Sequence, residues 1–104
     1  MSVNALHYIH EYESVIASQG LTVVDYFGTW CNPCLQISPK VADLAKAYPN
    51  VHFYKVDVDA ASDIATRAKV SAMPTFHFYK NGQLVDTVVG ANLPALKKAV
   101  AKWA

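Results

Sequence analysis

Trp30-Cys31-Asn32-Pro33-Cys34 holds both cysteines of the chain, and the residues on either side decide how they are used. Upstream, Leu21-Thr22-Val23-Val24-Asp25-Tyr26-Phe27 is a nearly continuous apolar run of strand formers. Such a run fits a central strand covered on both faces. Downstream, Val41, Leu44, Ala45 and Tyr48 recur at helical spacing, so a helix is expected from Asn32 to about Tyr48. Pro33 suits its first turn, where a missing N–H costs little, and Pro39 inside it should kink it. The thiols thus stand at a strand-to-helix junction, where free backbone N–H groups favour a thiolate on the first sulfur. Two thiols separated by two residues can close a small disulfide ring and reopen it, which is the requirement for thiol–disulfide exchange.

Outward from this junction, a short first strand is expected near Val3 to Leu6. Ile9, Tyr12 and Ile16 then follow helical spacing, with Gly20 suited to the helix end. Val51 to Val58 reads as a strand, and a short helix around Asp63 to Ala68 has Ser62 or Asp59 as its cap. Thr75 to Tyr79 and Leu84 to Val89 form a hairpin through Asn81-Gly82. Leu93, Leu96, Ala99, Val100 and Trp103 mark a closing helix. Early crossovers imply parallel strands and the late hairpin an antiparallel edge. The expected architecture is α/β: a central mixed sheet of about five strands flanked by four helices, in a single domain over residues 1–104. Tyr8, Tyr12, Phe53, Phe76, Phe78 and Trp103 are expected to fill the core. His77 is expected to be outer-facing or half-buried on its strand, and His7 and His10 exposed.

Composition narrows the function classes. Apolar residues make up 53% of the chain and charged residues 16%, a globular balance that needs no structural disulfide or metal. Nine basic residues and eight acidic ones leave a formal charge of +1 and no basic stripe, which argues against nucleic acid as a partner. No apolar run approaches the length of a membrane span. Met1 to His10 lack the basic start and apolar run of a signal peptide. A reducing, cytoplasmic setting is therefore expected, where two cysteines are seldom mere staples. With no third cysteine to bridge two copies, a monomer is expected.

These residues resemble the thioredoxin family, of the cytosolic type, over essentially the whole chain. The match is carried by Val24-Asp25-Tyr26-Phe27 leading into Thr29-Trp30-Cys31-Asn32-Pro33-Cys34, then Pro39, Lys55-Val56-Asp57, Met73-Pro74-Thr75, Asn81-Gly82 and Gly90. A lone C-x-x-C is shared with zinc ribbons. Joined to the preceding Trp, the internal Pro and a later Met-Pro-Thr, it becomes specific. The resemblance implies the thioredoxin fold and a protein-disulfide reductase with no bound cofactor. It also implies recycling with electrons from NADPH through thioredoxin reductase. Implied clients are disulfide-containing proteins such as peroxiredoxin, methionine sulfoxide reductase and ribonucleotide reductase.

Residue by residue, Cys31 should be the exposed attacking thiolate and Cys34 the resolving thiol one turn deeper. Asp25 interrupts an apolar strand, where burial would lift its pKa towards neutrality and suit it to acid–base work. In the family, the matching aspartate sits beneath the second cysteine and takes its proton. Lys55 is its supporting partner on the neighbouring strand. Pro74 resembles the family's cis-proline facing the disulfide, and Met73 would present its backbone to an extended client segment. Trp30, Gly90 and Ala91 resemble the rest of the client groove.

Two residues depart from the family pattern. Asn32 stands where glycine is usual, and its amide could donate a hydrogen bond near either sulfur. Leu35 replaces a usual cation and leaves an apolar patch beside the site. Three alternatives stand beside the reductase reading. A zinc half-site from the two cysteines and two of His7, His10, His52 and His77 is disfavoured by the histidine spacing. The others are a thiol carrier dedicated to one partner and a binding module without turnover.

Overall fold

The structure, a computed structural model, describes residues 2–104, so Met1 of the expected domain lies outside the described residues. The elements run β1 (Asn4–Ala5), α1 (Ile9–Ile16), β2 (Leu21–Phe27), α2 (Asn32–Ala47), β3 (His52–Asp57), α3 (Ser62–Ala68), β4 (Thr75–Lys80), β5 (Gln83–Val89) and α4 (Leu93–Trp103). The sheet order is β1-β3-β2-β4-β5. Its first three strands are parallel, and β4 and β5 run antiparallel to their neighbours. This is the expected mixed sheet of five strands with four helices.

Strand β2 lies at the centre, and side chains alternate between the two faces of the sheet. Val23 packs with Ile37, Val41, Leu44, Phe76, Phe78, Leu96 and Val100 under α2 and α4. Val24 and Tyr26 pack with Leu6, Tyr12, Ile16, Val56 and Ile64 under α1 and α3. Both faces are buried, which is why the run reads as continuously apolar. The same parity puts Asp25 on the face of α2, the helix that begins after Cys31. The hairpin follows its sequence signal, with Asn81 at φ 50 and Gly82 at φ 85, as a two-residue turn of positive φ requires.

Several expectations are corrected. Helix α1 ends at Ala17, in an ordinary right-handed conformation. Gly20, at φ 80, instead meets the hairpin: its N–H donates to Asn81 Oδ1 at 2.8 Å, and its carbonyl accepts from the Asn81 N–H at 3.1 Å. Neither Ser62 nor Asp59 caps α3, whose N-cap is Ala61 without a side-chain bond. The Asp57 carboxylate accepts from the N–H groups of Asp59 and Ala60 and shapes the preceding loop instead. Tyr8 is 73% exposed, because it precedes α1 in extended conformation and falls off the helix's inward stripe. His77 is buried, since the face it points to is the layer under α1 and α3. The rings of Tyr26 and Tyr79 lie 4.8 and 6.2 Å from its own.

Candidate active site

The end of β2 and the start of α2 are joined by a tight turn in which the Cys31 N–H donates to the Gly28 carbonyl at 3.1 Å. Cys31 is the N-cap of α2, and its sulfur accepts from the Cys34 N–H at 3.2 Å. Cysteine thus occupies the place where a serine or aspartate would satisfy a free donor of the first turn. Cys31 and Cys34 are joined as a disulfide with Cα atoms 5.3 Å apart. Pro33 sits in the first turn, as expected, and α2 continues through Pro39.

Cys31 was expected to be exposed and Cys34 covered. In the disulfide-bonded form both are 4% exposed, with the Met73 carbonyl lying against the first sulfur. The two differ in what they face. Cys31 Sγ lies 3.7 Å from the Met73 carbonyl. Cys34 lines a cavity of about 160 Å³ with Asp25, Phe27, Leu35, Ser38 and Lys55.

Asp25 is 7% exposed, and its Oδ1 has no hydrogen-bond partner among the described residues. Loss of hydration raises its pKa to about 7, against the opposing pull of Lys55. Lys55 is its register partner on β3. A second cavity of about 260 Å³ also reaches Asp25, Ser38 and Lys55 and continues to Ser2 and Lys46. The carboxyl is therefore buried from bulk solvent yet bordered by space on two sides.

On the other flank, the Met73–Pro74 peptide bond is cis, and the Pro74 carbonyl accepts from the Gly90 N–H at 2.7 Å. Gly90 stands at φ 94 with open space where a Cβ would go, so its backbone conformation, not crowding, calls for glycine. Ala91 follows it on the surface. Trp30 is 61% exposed, and its Nε1 donates to Asp59 Oδ2 at 2.7 Å. Leu35 is 56% exposed. The Asn32 side chain is exposed and makes no hydrogen bond among the described residues. The sequence reading missed Asp59, Ser38 and Gly28 as members of this region. Asp59 holds a ring 29 positions away in sequence, a contact with no local signal.

The thioredoxin family model matches residues 4–102. This chain belongs to the thioredoxin family. It is 50% identical to "Thioredoxin-2" of Saccharomyces cerevisiae over 95% of this chain and 96% of that protein. It is 48% identical to "Thioredoxin-1" of the same yeast, over 88% of each. Among solved structures, Fasciola hepatica thioredoxin superposes with a TM-score of 0.94 at 41% identity, covering 98% of this chain and 100% of that one. Oxidized mitochondrial thioredoxin 3 of S. cerevisiae superposes with a TM-score of 0.92 at 40% identity, covering 96% and 94%. As a thioredoxin, the chain is a protein-disulfide oxidoreductase that performs dithiol–disulfide exchange through Cys31 and Cys34. Thioredoxins need no bound cofactor for this exchange. Among the described residues, no helix is long and apolar enough to cross a membrane.

Proposed function

We propose that the chain is a cytoplasmic, monomeric protein-disulfide reductase in which Cys31 attacks, Cys34 resolves and Asp25 moves the proton. The observation that carries this division of labour is the different surroundings of the two sulfurs. Cys31 faces Met73, and Cys34 shares a cavity with Asp25.

In the reduced protein, the Cys34 N–H and the start of α2 stabilise a thiolate on Cys31. That thiolate attacks one sulfur of a client disulfide. A bond forms to Cys31, the client S–S bond breaks, and one client thiol is released with a proton. Cys34 then loses its proton to the Asp25 carboxylate and attacks Cys31 Sγ. The mixed disulfide breaks, the second client sulfur leaves and takes up a proton, and Cys31–Cys34 is closed. A group with a pKa of about 7 both accepts and returns a proton readily at neutral pH.

Trp30, Asn32, Pro33, Met73, Pro74, Gly90 and Ala91 form the surface that receives the client, with the Met73 backbone pairing to an extended segment. Lys55 supports Asp25 by moderating its pKa. Electrons reach the oxidised pair from NADPH through thioredoxin reductase. Clients would include peroxiredoxin, methionine sulfoxide reductase and ribonucleotide reductase. A chain solved in work on yeast mitochondrial 1-Cys peroxiredoxin and the glutathione/thioredoxin systems has 40% identity to this one, which favours the first of these.

The test is trapping. With insulin as the disulfide client, Cys34→Ser should accumulate a covalent complex that dithiothreitol dissolves, and Cys31→Ser should form none. Trapping by Cys31→Ser alone would reverse the assigned roles.

A further inference from the structure

Two cavities meet at Asp25, and Ser38 and Lys55 are the two other residues that line both. The rest of their walls is apolar, apart from Cys34 in the smaller cavity and Ser2 and Lys46 in the larger. A lysine ammonium group only donates hydrogen bonds, whereas a serine hydroxyl both donates and accepts. Ser38 is therefore the one neutral group beside Asp25 in both cavities that can do both. The helix puts it there: Ser38 follows Cys34 by four residues on α2, so the two side chains share one face. Ser38 is exposed and Asp25 buried, so the hydroxyl stands between the carboxyl and bulk solvent. Asp25 Oδ1 has no hydrogen-bond partner among the described residues, so a link from the hydroxyl to that oxygen runs through water. Cavities of about 160 and 260 Å³ far exceed the roughly 15 Å³ that one water needs.

We propose that Ser38 is a positioning residue for Asp25: its hydroxyl holds a water against the buried carboxyl and so connects that carboxyl to solvent. This rests on the reading of Asp25 as the group that takes the Cys34 proton. Each closure of the Cys31–Cys34 pair delivers one proton from Cys34 Sγ to Asp25, and the carboxylate is restored only when that proton passes on to water. A hydrogen bond from the held water favours the charged form of the carboxyl. Among the charged groups facing the cavities, Lys55 from β3 pulls in the same direction, with Lys46 of α2 farther along the larger one. Removing the hydroxyl leaves the carboxylate less hydrated and the proton more tightly held.

The experiment compares Ser38→Ala and Ser38→Thr with the unaltered chain, and repeats Ser38→Ala in an Asp25→Asn chain. In the oxidised protein, where Cys34 does not titrate, the Asp25 carboxyl is followed by its side-chain carbon-13 resonance. Ser38→Ala should raise the midpoint of that titration by about 0.7 pH units, which is the fivefold factor of one ordinary hydrogen bond. Ser38→Thr should restore it. In single turnover, reduced protein is mixed with excess labelled peptide disulfide and quenched in acid, which separates the mixed disulfide from the closed pair. Ser38→Ala should close the pair about fivefold more slowly at pH 6 and at the unaltered rate at pH 9, where the carboxyl is ionised in both chains. Formation of the mixed disulfide should change by less than about twofold. In the Asp25→Asn chain, adding Ser38→Ala should change nothing. An unmoved midpoint, a midpoint that threonine fails to restore, or slower closure that persists without the Asp25 carboxyl overturns the proposal. A raised midpoint with closure unchanged would instead uphold the water contact and remove Asp25 from the proton transfer.

Discussion

Replacing Asp25 by asparagine should make the disulfide-bonded protein more stable at alkaline pH and not at acid pH. The carboxyl rises from 3.8 to about 7 because burial penalises its charge more than Lys55 relieves it. That is about three pKa units, and at about 1.4 kcal/mol per unit the ionised form costs the folded state roughly 4 kcal/mol. Below about pH 4 the group is protonated in both states, so no penalty exists. Between about pH 4 and 7 the folded protein keeps a proton that the unfolded chain has lost, and stability falls by about 1.4 kcal/mol per unit. Above pH 7 the full penalty applies. Asparagine cannot ionise, and its buried amide adds only an offset that does not vary with pH. Lys55 is exposed and loses little with its partner. Urea unfolding of both oxidised proteins at pH 4, 6 and 8 should show the gap widening by roughly 4 kcal/mol in favour of the variant. A gap equal at pH 4 and 8 would refute the raised pKa and the acid–base role built on it.

The same Asp25→Asn change should slow resolution of a mixed disulfide at pH 7 by about a hundredfold, measured by release of a labelled client peptide from Cys31. His77 titrates in the opposite sense. Burial lowers its pKa from 6.5, so the unfolded chain takes up a proton first, and stability falls as the pH drops below about 6.5. His77→Leu should flatten that acid limb in urea unfolding and add about 1 kcal/mol at pH 8, since it removes the unpartnered Nδ1. Lys69 ends α3 in the left-handed conformation, at φ 60 and ψ 40. Lys69→Gly should therefore raise the unfolding midpoint by an amount equivalent to about 1 kcal/mol.

The strand and helix order was legible because each element carries a local signal: the apolar run of β2, the helical spacing of α2 and α4, and Asn81-Gly82 between β4 and β5. The buried carboxyl was legible for a related reason, since Asp25 interrupts an apolar run with no room for a charge. The misreadings share a physical cause. Periodicity alone misplaces His77 and Tyr8, because it does not say how many layers cover a face or where a helix starts. Gly20 looked like a helix terminus because its positive φ suits one, and the contact that uses it comes from Asn81 across the fold. Cys31 Sγ meets the carbonyl of Met73, 42 positions away, and Asp59 holds the Trp30 ring from 29 positions away.

The central claim is that Cys31 and Cys34 form a reducing pair, and their two-electron reduction potential tests it most directly. Equilibration with glutathione at pH 7, with the oxidised fraction read by thiol labelling, should give a value near about −270 mV, typical of thioredoxin. A value above about −200 mV, in the range of disulfide isomerases, would contradict the reductase account and make the pair an oxidant of client thiols.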